Sequence, residues 1–397
     1  MPRVRRARYV CFFFDDFPFF DLEQLLQGSV EPIAVRQVYA LSVLTGQAVA
    51  LDADEFDLVS TTPADDWVEP ADAEQARELA LRGVLLSDED DAELAALRAR
   101  HESLEELGWK LEAALYYFLS KWQGLDLREL AGQDPASDLL PPDDEAVQAF
   151  VDLLGMPPPA FEPVAASARV RELPFVEREG GLYDVLLRRR TTRSFDAATP
   201  LGLEELSVVL EYVFGYHGYA PLFGEVATLK RTSPSAGGFH PVDAYPLVTN
   251  VDGLEPGLYR YDGRDHAVEL VAPLEAGEAR RTAATFVCGQ TYFADAHVSI
   301  VLAARFDRAF WKYRNHPKAL TAVLMDAAHL SQTLYLVATE LGLGAYVTAA
   351  INNVDIEERL GLDGYRRGVL AVCGVGKPAA EPSPFDPQFV PLPRRAQ

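Results

Sequence analysis

The sequence predicts a mixed helix-and-strand chain in two folded parts. A small winged-helix-like module comes first, and a larger region of alternating helices and strands follows. Three observations carry this reading. Strand, helix and strand signals succeed one another within the first hundred residues. A proline-rich stretch, with Pro157, Pro158, Pro159 and Pro163, is unsuited to a helix or a central strand. Beyond it, helical and strand periodicities alternate up to about residue 378. At about 100–200 residues per domain, 397 residues hold two or three domains, with ample length for a core. The expected division is 1–100 for the N-terminal module, 101–165 for a helical segment and linker, and 166–397 for the C-terminal domain.

The elements follow in order. Arg3, Arg5, Arg6 and Arg8 precede Tyr-Val-Cys-Phe-Phe-Phe, which mimics a secretory signal, but Asp15 and Asp16 end the apolar run too early. Tyr9–Phe14 reads instead as a buried strand. Val35–Leu51 alternates as one or two strands with a turn at Thr45-Gly46. Asp54–Val59 and Ala71–Arg82 read as helices, the second ending at Gly83, and Val84-Leu85-Leu86 as a short strand. Glu102–Gln123 reads as one helix, because Leu104, Leu107, Leu111, Ala114, Leu115 and Phe118 recur at helical spacing. Asp134–Asp144 belongs to the linker, and the main boundary falls near 157–172.

In the C-terminal region, Leu182–Arg190 and Leu203–Phe214 read as helices and Asp243–Val248 as a strand. Gly257–Leu270 reads as a hairpin turning at Asp262-Gly263. Leu274–Val287 is helical, His297–Ala303 is a buried strand, and Gly368–Gly374 is a last buried strand. Pro317 opens a long helix whose stripe runs from Leu320 through Leu330 and Leu334 to Leu341. There is no internal repeat.

Composition narrows the function. Sixty acidic against 36 basic residues give a net charge of -24. A nucleic-acid binder needs a basic surface, and an anionic membrane surface would repel this chain. No run reaches the roughly 18–20 apolar residues of a membrane span. Cys11, Cys288 and Cys373 are far apart, with no C-x-x-C, so neither a disulfide framework nor a structural metal site is expected. A reducing cytoplasm fits.

Four constellations could carry chemistry. Arg188-Arg189-Arg190-Thr191-Thr192-Arg193-Ser194-Phe195 gathers guanidinium and hydroxyl groups suited to phosphate, although a solvated basic helix end explains it equally well. Arg231-Thr232-Ser233-Pro234-Ser235-Ala236-Gly237-Gly238-Phe239-His240-Pro241 offers small residues that a flat ligand can approach, or an ordinary glycine-rich turn. Trp311-Lys312-Tyr313 places a cation beside a phenol, which can make the tyrosine a usable base, or is a surface lysine beside a packing tyrosine. Gly342–Tyr346 and Cys373–Lys377 supply backbone approach and another cation, or plain element ends. The P-loop and dinucleotide fingerprints are absent.

In this order, together with Gly-Leu-Glu-Pro-Gly-Leu-Tyr-Arg-Tyr, these motifs resemble the nitroreductase superfamily. Lys312-Tyr313 and Met325-Asp326-Ala327-Ala328-His329-Leu330-Ser331-Gln332 narrow the resemblance to the SagB-type dehydrogenases of ribosomal peptide maturation. It covers about residues 180–378. The resemblance implies an α+β, FMN-binding homodimer with the flavin at the subunit interface. By motif position, Arg189, Arg190, Thr191 and Arg193 would hold the FMN phosphate and ribityl. Pro234, Ser235, Ala236 and Gly237 would face the ring system, and Gly344, Gly376 and Lys377 would close the site. Gln332 counts with the cofactor-binding residues and His329 as a possible support, a polar helix face being the alternative. Lys312 and Tyr313 match the paired residues of azoline oxidases. Thr191 replaces the usual Ser, and Ala328 and Thr333 stand where Gly and Asn are common, which bears on local geometry and substrate.

Tyr39-Ala-Leu-Ser-Val-Leu-Thr-Gly-Gln-Ala-Val-Ala-Leu51, followed by Glu78–Leu86, resembles PqqD-like peptide-recognition domains, which bind a leader peptide as an added strand. A folding or dimerisation appendage is the alternative. The expected activity is oxidation of a thiazoline or oxazoline to the azole in a precursor peptide, with Tyr313 as base and Lys312 stabilising its phenolate. A partner cyclodehydratase would make the azoline, since no nucleotide-binding motif is seen. One alternative is an FMN reductase of dehydroamino acids, nitro groups or quinones using NAD(P)H. Another is a non-catalytic leader-binding scaffold.

Overall fold

Each early helix begins at an aspartate, and short alternating strands separate the helices. The computed structural model describes residues 2–19, 33–156, 178–223, 226–313, 318–387 and 389. Strands β1 (Val4–Arg6), β2 (Val10–Phe19), β3 (Ile33–Ser42), β4 (Ala48–Leu51) and β5 (Leu85–Ser87) form two small antiparallel sheets. β1 pairs with β5, and β2-β3-β4 is a meander. Helices α1 (Ala53–Thr61), α2 (Ala73–Leu81) and α3 (Ala92–Leu107) start after Asp52, Asp72 and Asp91. Each of these carboxylates accepts from first-turn N–H groups of its helix. Gly83 closes the second helix at φ 72°.

Two expectations need correction here. The strand after Tyr9 is only partly buried: Tyr9 and Val10 are in the core, but Phe13 and Phe14 are exposed. The β2–β3 ribbon is ten residues long on each strand and continues past the residues that pack into the core. The single helix expected over 102–123 is two, α3 and α4 (Leu111–Leu119). Gly108 ends the first in the left-handed region, at φ 76°, where glycine carries no Cβ penalty. The break turns Trp109 into the core. Its ring lies 4.8 Å from those of both Phe306 and Phe310, and its indole N–H donates to the Tyr365 carbonyl at 3.0 Å.

Within the expected linker, α5 (Asp144–Leu154) starts after Asp143, whose carboxylate accepts from the Ala146 N–H. The boundary expected near 157–172 and the helix-opening Pro317 both lie outside the described residues. Helices α6 (Leu182–Arg188) and α7 (Leu203–Phe214) come next. A hairpin of β6 (Gly218–Phe223) and β7 (Val226–Lys230), which periodicity did not reveal, stands apart from the main sheet.

The main sheet contains β8 (Val242–Val248), β9 (Gly257–Asp262), β10 (Ala267–Pro273), β11 (Val298–Arg305), β12 (Gly344–Thr348) and β13 (Arg367–Gly376). Its order is β10-β9-β8-β11-β13-β12, antiparallel throughout. Strand alternation splits its side chains between two cores. Val298, Ile300 and Leu302 pack against α7 and α10 (Ala319–Glu340). Val301 and Ala303 pack on the other face with α8 (Ala276–Phe286) and α11 (Asn353–Leu360). The result is a three-layer helix–sheet–helix domain of the expected α+β class. The expected two-residue turn at Asp262-Gly263 is instead a connection through residues 263–266, because Asp262 pairs with Ala267. The Asp262 carboxylate accepts from the Arg264 and Asp265 N–H groups, and this side-chain turn widens the loop.

The N-terminal core does not stop at the first module. It continues through Trp109 and Tyr117 into Phe306, Ala309 and Phe310 of α9 (Phe306–Tyr313), and on to Leu320 and Val323 of α10. The first module therefore buttresses the helix that carries Lys312 and Tyr313. Among the described residues, no helix is long and apolar enough to cross a membrane.

Candidate active site

The long helix α10 organises the site. One flank of it holds the glycine-rich loop of residues 233–238. The buried Asp326 carboxylate accepts from the Ser235 hydroxyl at 2.5 Å and from the Ala236 N–H at 3.1 Å. Burial raises the pKa of this carboxyl, and the two hydrogen bonds oppose the rise. One turn and two turns further along, the His329 carbonyl and the Thr333 hydroxyl bond the Ser233 hydroxyl at 3.3 and 2.6 Å. The Ser235 oxygen also accepts from the His240 N–H at 2.9 Å, which ties the loop back on itself. Gly237, Gly238 and His240 all have positive φ, so the loop makes a tight left-handed turn.

The pair on α9 meets this loop. A β-carbon placed on Gly237 would stand 2.7 Å from Lys312 Nζ and 2.9 Å from the Tyr313 hydroxyl. Both groups therefore converge on Gly237, a position without a side chain. Phe239 supports them, with Lys312 Nζ 5.4 Å from its ring centroid. Arg231, at the start of the motif, is buried, donates to the Val242 carbonyl at 2.8 Å and sits over the Tyr216 ring, so it braces the loop.

A second group of predicted residues assembles elsewhere on α10. The Thr191 hydroxyl bonds the Tyr335 hydroxyl at 3.0 Å, and Tyr335 also accepts from the Val347 N–H at 3.1 Å. The Arg189 guanidinium lies over the Tyr335 ring at 5.2 Å. The Thr192 N–H donates to the Ala345 carbonyl, and Gly344 leaves room for Thr192, whose methyl would be 2.6 Å from a β-carbon there. Gly344 and Gly376 are direct partners across β12 and β13, and the Asp196 N–H donates to the Lys377 carbonyl. The arginine motif and the two C-terminal glycine motifs are thus one cluster.

Some predicted residues fit this cluster less closely. Arg193 pairs with Asp386 at 3.3 Å. Arg190 and Gln332 are exposed. The open side of Gly376 faces His297, whose Nδ1 would lie 2.2 Å from a β-carbon. Sequence reasoning missed Asp326 as the loop's anchor and Tyr335 as the anchor of Thr191. Asp326 was at least visible as a carboxylate within an otherwise apolar helix stripe. For Tyr335 the only signal was an aromatic in the same stripe.

The two clusters lie on opposite flanks. Asp326 and Tyr335 are nine residues apart on one helix, which at 100° per residue puts them about 180° apart around the axis and about 13 Å apart along it.

A three-layer α+β domain with this glycine loop and arginine segment defines an oxidoreductase of the flavin-binding type. The nitroreductase family model matches residues 186–377, and the chain belongs to the nitroreductase family. MJ1384, a nitroreductase homologue of Methanocaldococcus jannaschii, is 33% identical over 194 residues, 49% of this chain and 90% of that protein. The trifolitoxin-processing protein TfxB of Rhizobium leguminosarum bv. trifolii is 24% identical over 172 residues. That match spans 43% of this chain and 46%, about half, of TfxB. Among solved structures, the E. coli microcin synthetase complex with a truncated pro-microcin peptide is 18% identical over 69% of this chain and 97% of the matched chain, at a TM-score of 0.49.

Proposed function

We propose that this protein is an FMN-dependent dehydrogenase that oxidises thiazoline or oxazoline rings of a ribosomally made peptide to azoles. The convergence of Lys312 Nζ and the Tyr313 hydroxyl on the bare face of Gly237 carries this reading. A flat ring system bound against this loop would meet both groups. FMN bound there supplies the acceptor for the two electrons that aromatisation releases. Lys312 stabilises the phenolate form of Tyr313, and that phenolate takes the ring proton and becomes the neutral phenol. Asp326 holds the loop that orients the rings.

The residues suit the cofactor. Gly237 lets Lys312 Nζ and the Tyr313 hydroxyl close on the loop backbone, where a β-carbon would stand within 3 Å of both. Arg189 and Arg190 have no carboxylate partner among the described residues, which leaves them for a phosphate; Thr191 follows them in the chain, and Lys377 joins the same segment through its carbonyl at the Asp196 N–H. Arg193 would exchange Asp386 for that phosphate.

The same geometry supports a homodimer. With the loop and the arginine cluster on opposite flanks of α10, a second copy packed on this helix brings one copy's loop to the other's arginines. An apolar groove of about 430 Å³ lined by Leu182, Val185, Tyr212, Leu336 and Val337 supports such packing. The N-terminal module is the proposed docking site for the leader of the precursor peptide, with a cyclodehydratase as the partner that forms the azoline. The match to TfxB, named for trifolitoxin processing, supports a peptide as the substrate.

The first test is the visible spectrum of desalted protein, with identification of the released chromophore. Stoichiometric FMN supports the reading, and a colourless protein that takes up no FMN overturns it. Lys312→Ala and Tyr313→Phe should then retain FMN and lose azole formation on an azoline peptide. The match to a nitroreductase homologue favours one second reading, a reductase fed by NAD(P)H. Rapid bleaching of the flavin by NAD(P)H without peptide would select it.

A further inference from the structure

One end of the main sheet carries a charge arrangement that the redox chemistry does not use. Arg305 and Arg367 are direct cross-strand partners on β11 and β13. Like charges placed opposite each other destabilise a sheet unless something offsets them. Arg308, three residues further along in α9, adds a third guanidinium. With Asp307, Trp311 and Phe239, these arginines line a cavity of about 440 Å³.

The acids nearby do not discharge the cluster. Asp243 lies 3.3 Å from Arg305 Nε, yet that buried nitrogen has no hydrogen-bond partner. The Asp307 carboxylate accepts from the Arg308 backbone N–H at 2.8 Å. Arg308 Nε donates to the Phe239 carbonyl at 2.5 Å, and the side chain of Arg367 has no hydrogen bond or ion pair among the described residues. Three guanidiniums and one carboxylate, Asp307, line the cavity itself, with Asp243 beside Arg305 and Asp363 at the Arg367 backbone N–H, in a chain of net charge -24.

Phe239 joins this cavity to the redox site. The Arg308 guanidinium and Lys312 Nζ lie 5.3 and 5.4 Å from its ring centroid, and its Cδ2 is 3.3 Å from the position of a Gly237 β-carbon. A ligand in the cavity is therefore one aromatic ring away from Gly237. Trp311 and Phe239 supply apolar walls, and the guanidiniums supply donors aimed at an oxygen anion.

We propose that this cavity is a specificity pocket that binds the carboxylate of an acidic residue flanking the reacting ring of the peptide. The assignment of a peptide as substrate rests on the function proposed above. The test uses the full-length protein as purified, with two capped tetrapeptides, Ac-Gly-Phe-Glu-Gly-NH2 and its glutamine isostere, in calorimetric titrations. The glutamate peptide should bind about tenfold more tightly or better. Arg308→Gln and Arg367→Gln should each erase that preference without changing the flavin spectrum, and Arg367→Gln, which breaks no side-chain hydrogen bond among the described residues, should leave the melting temperature unchanged as well.

Equal binding of the two peptides, binding of neither, or a preference that survives both substitutions overturns the pocket. A third ligand, adenosine 2′,5′-bisphosphate, covers the dinucleotide alternative. If it binds more tightly than the glutamate peptide and is lost in both variants, the pocket holds a phosphate and the peptide assignment falls. Flavin content of the same samples separates the two proposals. FMN-loaded protein without a glutamate preference sinks the pocket alone, and colourless protein with the preference sinks the flavin reading alone.

Discussion

Asp326 holds Ser235 at 2.5 Å, so a carboxylate buried on the long helix fixes the loop against which Lys312 and Tyr313 converge. The same carboxylate accepts from the Ala236 N–H. Removing it with Asp326→Ala leaves two partly buried donors without partners. At about 1–3 kcal/mol for each unsatisfied group, the loss is roughly 2–6 kcal/mol of stability. Bound flavin should fall with it. Asp326→Asn keeps an acceptor oxygen and should lose less than half as much. Chemical unfolding and flavin stoichiometry of the two variants check this, and equal loss in both would show that charge rather than acceptance matters.

Gly237 is a sensitive small residue of the site. Its φ of 64° is strained for alanine, and the added methyl would meet Lys312 Nζ and the Tyr313 hydroxyl below 3 Å. Gly237→Ala should cost about 1–2 kcal/mol of stability. Turnover should fall at least tenfold, because the methyl occupies the point where the two groups meet. Steady-state rates normalised to flavin content separate this loss from simple loss of cofactor.

Tyr335 ties the arginine segment to β12 through Thr191 and the Val347 N–H. Tyr335→Phe keeps the ring under Arg189 and removes both hydrogen bonds. The expected cost is about 1–2 kcal/mol. Flavin affinity should weaken several-fold while the rate of flavin-loaded enzyme is retained. A flavin titration of apoprotein measures it. A loss of rate at full flavin occupancy would count against the separation of the two clusters.

Stability should also fall with acid. Burial, then Arg5 and Arg8, push the His101 pKa down to about 4. Burial, then Arg231, push His240 down to about 4, against a bond to the Leu229 carbonyl. The unfolded chain protonates first, near pH 6.5. The neutral imidazoles therefore contribute fully above that pH, and their contribution is lost as pH falls toward 4. The effect is on the order of 3 kcal/mol per histidine. Urea unfolding between pH 7 and pH 4 measures the slope, and His101→Gln should remove part of it.

Strongly periodic elements could be read directly from the chain. Leu203–Phe214 is a helix over the expected residues, and the long helix with its Leu320–Leu341 stripe differs from expectation only at its ends. Local pattern was insufficient where a single residue overrode it. Gly108 splits a continuous apolar stripe into two helices, and the Asp262 side chain widens a turn that the sequence reads as tight. The short helices α9 and α11 went unread because so few residues carry little periodicity.

The site divides in the same way. The sequence by itself determined the candidate chemistry: the arginine–threonine segment, the Ser-Ala-Gly-Gly loop and Lys312-Tyr313 are runs of residue types whose functional groups need no partner to be recognised. It determined the excess of acid as well, because charge is a sum over residues. Tertiary structure alone decided which runs meet. Lys312 and Tyr313 join Gly237 across about 75 residues of chain, and Thr191 joins Tyr335 across 144. It also decided that the loop and the arginine cluster stand on opposite flanks of one helix, and that Arg305 faces Arg367. Such pairings depend on sheet order and on the rotation of a helix about its axis. Both are set by burial of side chains far from the site, and the functional residues carry no local record of them.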